Sequence, residues 1–251
     1  MRELITCWRH TRMVVLIALC AALYVAVLIP FKLASIVPGI TEIRPAAALP
    51  IVFSLFFGPA AAWGAAFGNL IGDFFGTIGP GSLFGFVGNF IYGFAPYRIV
   101  SAWMKPGESL FSPKGWLVLL VSIVISSGLC AMIVSLGVDF LKIVPFGFLV
   151  HTIFLNNLLV SILLVPLLIR TLEKRIRQLK LGYSQMLESQ EISSPLLKGA
   201  GTILVFALML LIYALLMIPS LTKFAPFVAR DPRTFELGAS ILLPVAALLL
   251  L

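Results

Sequence analysis

Charged side chains are scarce in this sequence: Asp, Glu, Lys and Arg together make up 11% of its 251 residues, against about 25% in ordinary soluble domains. That scarcity excludes a soluble globular fold, because 61% hydrophobic residues and a mean hydropathy of +1.10 exceed what an aqueous core can enclose. Cysteine is nearly absent too. Cys7, Cys20 and Cys130 have no metal-ligand or redox spacing, and an odd count leaves no complete disulfide framework; they are expected to be small apolar packing residues. The chain carries no Gly-Lys-Ser/Thr phosphate loop, no Asp-rich prenyl-diphosphate motif, no His-Glu-x-x-His zinc motif and no Gly-x-Ser-x-Gly nucleophile turn. ATP hydrolysis by this chain is thereby excluded, enzyme chemistry is not expected, and no cofactor or metal site is anticipated. The net charge of +8 would point to nucleic acid in a soluble protein. Here the basic residues flank apolar runs, which assigns them to topology and to anionic lipid head groups, and no nucleic-acid partner is expected.

What the sequence does contain is apolar runs, at about 14–30, 45–57, 60–76, 83–103, 116–137, 145–169, 200–219 and 237–251. Each is a candidate membrane helix, which makes the chain an all-α integral membrane protein whose partner is the lipid bilayer. The second and third runs are short and meet at Gly58-Pro59; they can be two short spans or one re-entrant pair, and two spans are favoured because turns at Arg44-Pro45 and Gly79-Pro80-Gly81 bound them. The last run would reach only about 22 Å at 1.5 Å per residue, short of the roughly 30 Å hydrocarbon core, and suggests an incompletely inserted helix or an incomplete sequence. Lys and Arg are about twice as frequent on the side bearing Arg9, Arg12, Arg170, Lys174 and Arg175. The positive-inside rule then predicts a cytoplasmic N-terminus and outward loops at 31–44, 77–82 and 138–144. Residues 171–199 form the longest polar stretch, either an amphipathic surface helix or a solvated linker. They separate a six-helix core, residues 1–170, from two additional hydrophobic helices in 200–251.

Glycines 64, 68, 72 and 76 recur every four residues in the third run and predict close helix packing. Packing does not account for Asn69 and Asp73 on the adjoining face, since an ionisable group at membrane depth is costly unless paired or facing a polar cavity. In the fourth run Gly81, Gly85, Asn89 and Gly93 form a similar stripe, with Tyr92 beside it; the sixth run adds His151, Asn156 and Asn157. Asn69, Asp73, Asn89, His151, Asn156 and Asn157 fall in the predicted outward halves of their helices or near mid-membrane. With Glu42 and Arg44 of the first outward loop they suggest a pocket for a small hydrogen-bonding ligand. Ala18, Ala22 and Ala26 give the first run a face of small residues, suited either to packing within the bundle or to docking a separate membrane subunit.

The stretch from Arg44 through Phe57-Gly58-Pro59, followed by the glycine-rich helix to Gly68-Asn69 and Gly72-Asp73, resembles the substrate-binding S components of energy-coupling factor (ECF) transporters, particularly the QueT-like group. The resemblance covers about residues 10–170. It implies a six-helix prokaryotic cell-membrane protein that captures a vitamin or related micronutrient from outside. It also implies a transmembrane coupling subunit and two ATPase subunits as partners, with ATP hydrolysed by the latter. By the same resemblance, Ala18, Ala22 and Ala26 would dock on the coupling subunit; Asn89, Tyr92, His151 and Asn156 would line the ligand site; and residues 31–44 would act as its lid. The chain departs from this pattern by continuing about 80 residues beyond the sixth run. A self-sufficient secondary transporter or channel for a small polar solute is the alternative, although the paired, broken-helix halves it should show are not visible.

Overall fold

The computed structural model of the chain describes residues 2–33, 44–76, 78–105, 108–187, 199–218 and 232–251. Ten α-helices and no strand occur among the described residues. They are α1 (Arg2–Thr6), α2 (Thr11–Leu33), α3 (Ala48–Phe57), α4 (Pro59–Asp73), α5 (Gly81–Trp103), α6 (Pro113–Phe140), α7 (Phe146–Gln178), α8 (Tyr183–Met186), α9 (Gly199–Met217) and α10 (Pro232–Leu250). Short 3-10 turns at Cys7–Arg9 and Pro45–Ala47 lead into α2 and α3.

Among the described residues, five helices are long and apolar enough to cross a membrane: α2, α6, α7, α9 and α10. The other long one, α5, has 23 residues but is interrupted by glycine, asparagine and Arg98. It is packed between α4 and α6 and buried along most of its length. Because protein rather than lipid surrounds it, it does not need a lipid-compatible surface. The last helix differs from the expectation. It begins at Pro232, five residues before the apolar run, since Arg233 and Glu236 extend its first turn; its 19 residues reach about 28 Å.

Glycine contacts set the helix directions. Gly64, Gly68 and Gly72 of α4 meet Cys20, Tyr24 and Leu28 of α2 in ascending order, so the two helices run parallel and α3 returns between them. A Cβ on Gly68 would lie 2.7 Å from the Tyr24 ring, which is why only glycine permits this spacing. Gly85 against Asn69 and Gly93 against Ala61 make α5 antiparallel to α4. Gly81 against Val138 and Gly88 against Val134 make α6 antiparallel to α5. The first six apolar runs therefore fold back and forth, with the N-terminus, the ends of α5 and α7, and the start of α6 gathered at one end, called here the N-terminal end. Arg44, Asp73, Gly81 and Phe140 mark the opposite, distal end.

The α3–α4 hairpin is too short to reach both ends. It turns at Gly58, whose φ of 51° lies in the left-handed region that side chains resist. Its turn stops at the level of Tyr97 in α5, whose N–H donates to Ser54 Oγ at 3.1 Å. Tyr183 of α8 lies against the same glycine, where an added Cβ would come 2.7 Å from its ring. Below the turn, α1 plugs the bundle: Trp63 Nε1 donates to Leu4 O at 2.9 Å, and Arg98 Nη1 donates to Glu3 Oε1 at 3.0 Å with both side chains buried. The basic stretch after residue 169 continues α7 for two more turns, to Gln178. From there α9 and α10 pack against α6 and α5, burying Val205, Met209, Leu243 and Ala247.

Candidate functional site

Polar side chains from four core helices gather in the distal half of the bundle: Asp73 stands at the distal end of α4 and Asn69 about 6 Å below it, while Tyr24, Asn89 and Asn156 lie about 12–15 Å below the distal ends of their helices, at roughly 1.5 Å rise per residue. Each is there because a glycine or a helical repeat lets it approach. Asn69 and Asp73 stand one turn apart on α4, with Asn69 Nδ2 donating to Asp73 Oδ2 at 3.4 Å. Both face Gly85 of α5, where an added Cβ would sit 2.8 Å from Asn69 Nδ2. One turn further along α5, Asn89 Nδ2 donates to Gly85 O at 2.9 Å. The Asn89 Oδ1 in turn accepts from the Tyr24 hydroxyl of α2 at 3.4 Å. Asn69, Asn89 and Tyr24 are buried, whereas Asp73 is half-buried.

The α7 side of the cluster is tied to the entrance of the hairpin. The backbone N–H of Arg44 donates to Asn156 Oδ1 at 3.2 Å. The next residue, Asn157, is buried and faces the Cys130 thiol of α6. The Arg44 side chain lies within electrostatic reach of both Tyr24 and Cys130, and Asp73 within reach of Tyr24. Arg44 and Asp73 thus place a guanidinium and a carboxylate around the same phenol and amides. Beneath them the core closes: the Tyr92 hydroxyl meets Ser161 Oγ at 2.9 Å, and Tyr92, Ile51 and Ile91 are almost wholly enclosed.

Among the sequence-predicted residues, Asn69, Asp73 and Asn89 form one group. Arg44, Asn156 and Asn157 form the facing group, and Tyr92 lies below both. His151 stands apart. It is exposed, and its Nε2 lies 2.8 Å from the Tyr213 hydroxyl of α9. At about 100° per residue, position 151 is turned some 140° away from 156, so the two cannot share a face. Glu42 and most of the segment 31–44 lie outside the described residues. Tyr24 was missed by sequence reasoning because it interrupts an apolar run at core spacing; its signal was a lone phenol among Ile17, Cys20, Ala21 and Leu28. Cys130 and Ser161 carried no signal beyond burial.

Chemically, the cluster offers amide donors and acceptors, one carboxylate, one guanidinium and a phenol. Groups of that kind are suited to directed hydrogen bonds with a polar, planar or zwitterionic small molecule. No group of three or more His, Cys, Asp and Glu that could hold a metal gathers among the described residues. A cavity of about 400 Å³ opens not at this cluster but at the N-terminal end, bordered by Tyr97, Ser101, Glu108, Glu173, Arg177 and Tyr183. Its charges are largely satisfied within the chain: Glu173 pairs with Arg177 at 2.7 Å and Glu108 with Lys114 at 3.0 Å. The Lys105 N–H and the Lys114 ammonium hold the Glu108 carboxyl below its ordinary range.

The alanine face of α2 lies on the outside of the bundle. Ala18, Ala22 and Ala26 are all exposed, as are Val15, Leu19 and Leu23. The opposite face, with Ile17, Cys20, Ala21, Tyr24 and Leu28, carries the packing on α4.

A family model described as QueT transporter matches residues 14–174 of the chain. No curated protein and no solved structure matches.

Proposed function

Because this chain belongs to the QueT transporter family, a group of S components of energy-coupling factor transporters, we propose that it captures a small vitamin-like micronutrient at its distal end. In this assignment the distal end faces outward and the N-terminus lies in the cytoplasm of a prokaryotic cell. The excess of Lys and Arg at the N-terminal end supports that orientation. The single observation that carries the proposal is the convergence of Tyr24, Arg44, Asn69, Asp73, Asn89 and Asn156 from α2, the hairpin entrance, α4, α5 and α7. Asn89 and Asn156 read the hydrogen-bonding edges of the ligand, while Arg44 and Asp73 complement its charge. Tyr92 and Ser161 form the floor.

The closed core below the cluster gives the ligand no inward path through this chain alone. Delivery is therefore assigned to partners: a transmembrane coupling subunit seated on Ala18, Ala22 and Ala26, and two ATPase subunits that hydrolyse ATP. The exposure of those alanines supports the docking face, since a backbone can approach closely where side chains are small. His151 belongs to the contact with α9 and is left out of the proposed site.

The test is native mass spectrometry of the full chain released from mild detergent. We expect a small-molecule adduct, and a rise in melting temperature when the identified compound is added back. A chain that carries no adduct and is not stabilised by any member of a vitamin and nucleobase panel would overturn the proposal.

A further inference from the structure

A groove of about 770 Å³ runs between the start of α6 and the second half of α7, bordered by Phe111, Trp116, Leu163, Pro166, Leu167 and Arg170. We propose that it is a binding site for one anionic phospholipid, with an acyl chain along Leu163 and Leu167 and the head group on Arg170 and Lys174. It lies at the N-terminal end and on the outside of the bundle, apart from the distal polar cluster.

The first support is depth. Along α7, Arg170 is 24 residues from Phe146, or about 36 Å at 1.5 Å per residue, beyond a hydrocarbon core of roughly 30 Å. Arg170 therefore stands at head-group level, while Leu163 lies about 10 Å deeper, among acyl chains. Trp116 sits one turn into α6 and packs edge-on against Phe111 at 6.0 Å, as an aromatic side chain does at a membrane interface.

The second support is register. Residues 163, 167, 170 and 174 repeat at helical spacing, so one stripe of α7 passes from leucine to Arg170 and Lys174 as it leaves the bilayer. All four side chains are exposed.

The third is charge. Of the neighbouring basic residues, Arg177 is engaged by Glu173 and Lys114 by Glu108. Arg170 and Lys174 have no ion-pair partner among the described residues. Two adjacent uncompensated cations favour a head group of net negative charge over a zwitterionic one, and Arg can hold a phosphate with two parallel N–H groups. A free phosphate would use the cations but not the apolar groove, which is why a lipid is the assigned occupant.

Native mass spectrometry of the full chain, titrated with phosphatidylglycerol or phosphatidylcholine, tests the site. Phosphatidylglycerol should remain bound at activation energies that strip phosphatidylcholine. The double variant Arg170→Gln/Lys174→Gln should lower phosphatidylglycerol occupancy at least fivefold with unchanged thermal unfolding. Leu163→Trp, which fills the groove without changing charge, should lower it as well. Arg175→Gln, on another face of α7, should leave it unchanged. Equal retention of both lipids would reduce the groove to ordinary solvation by the bilayer and overturn the proposal. So would an equal loss in Arg175→Gln, and displacement of the lipid by inorganic phosphate would reassign the cations to a free anion.

Discussion

Asn89 occupies the middle of α5 with both ends of its amide engaged, Nδ2 on Gly85 O and Oδ1 on the Tyr24 hydroxyl. Gly85 O is a backbone acceptor one turn back in the same helix, whereas Tyr24 comes from α2, which Gly68 allows to pack closely on α4. In the proposed site a ligand would share these groups, so removing the amide leaves polar atoms of both ligand and protein unsatisfied. Asn89→Ala should weaken ligand binding at least tenfold, about 1.4 kcal/mol, measured by calorimetry below the unfolding temperature of the variant. Unchanged affinity would place the ligand elsewhere. Arg98 illustrates a different use of a buried polar group. It is 4% exposed, paired with a Glu3 that is 1% exposed, and its Nε donates to Leu251 O at 2.9 Å. A buried pair of this kind stabilises little in net terms, yet losing one partner is costly, so its effect is to hold α1 and the end of α10 against α5. The same burial, with the Glu3 carboxylate beside it, pushes the Cys7 thiol up to about 11, far from the reactive range.

At the scale of elements, α2 has two faces with separate tasks. Ile17, Cys20, Ala21, Tyr24 and Leu28 close on the α4 glycines, while Ala18, Ala22 and Ala26 face outward. A bulky side chain on the second face should leave the first undisturbed. Ala22→Trp is therefore expected to abolish uptake in cells that contain the coupling and ATPase subunits, while the isolated protein binds ligand with wild-type affinity. Uptake at the wild-type rate would remove this face from the docking interaction. The α3–α4 hairpin gives a complementary lesson. Its helices, 10 and 15 residues long, span about 15 and 22 Å and can stop short only because α1, Arg98 and Tyr183 fill the space beneath Gly58.

At the scale of the whole molecule, α9 and α10 lie beyond the part of the chain that matches the family, residues 14–174. They pack on α6 and α5, with Met209 against Gly128 of α6, and Tyr213 reaches His151 of α7. A chain ending after Leu187 keeps α8 and its seal on Gly58, together with every residue of the proposed site. It should insert and bind ligand within about threefold of the full chain, but with a lower melting temperature in the same detergent, because α6 loses a packed neighbour. A folded truncation that fails to bind would make α9 and α10 part of the site.

The membrane class, the eight apolar segments and the family were legible in the sequence, because hydropathy and glycine spacing act locally and a bilayer imposes a near-fixed helix length. The glycine repeat in residues 64–72 likewise announced a close helix contact, and Asn69, Asp73 and Asn89 declared themselves as polar groups with no local reason to be there. What the sequence left open was settled by packing. Whether the alanines of α2 faced inward or outward depended on which side α4 chose, and two faces of small residues offered no local preference. Tyr24 entered the cluster and His151 left it because helix rotation, set by neighbours far along the chain, decides which way a side chain points. The short α3–α4 hairpin is possible only because distant residues fill the space under its turn, a condition that no local pattern records.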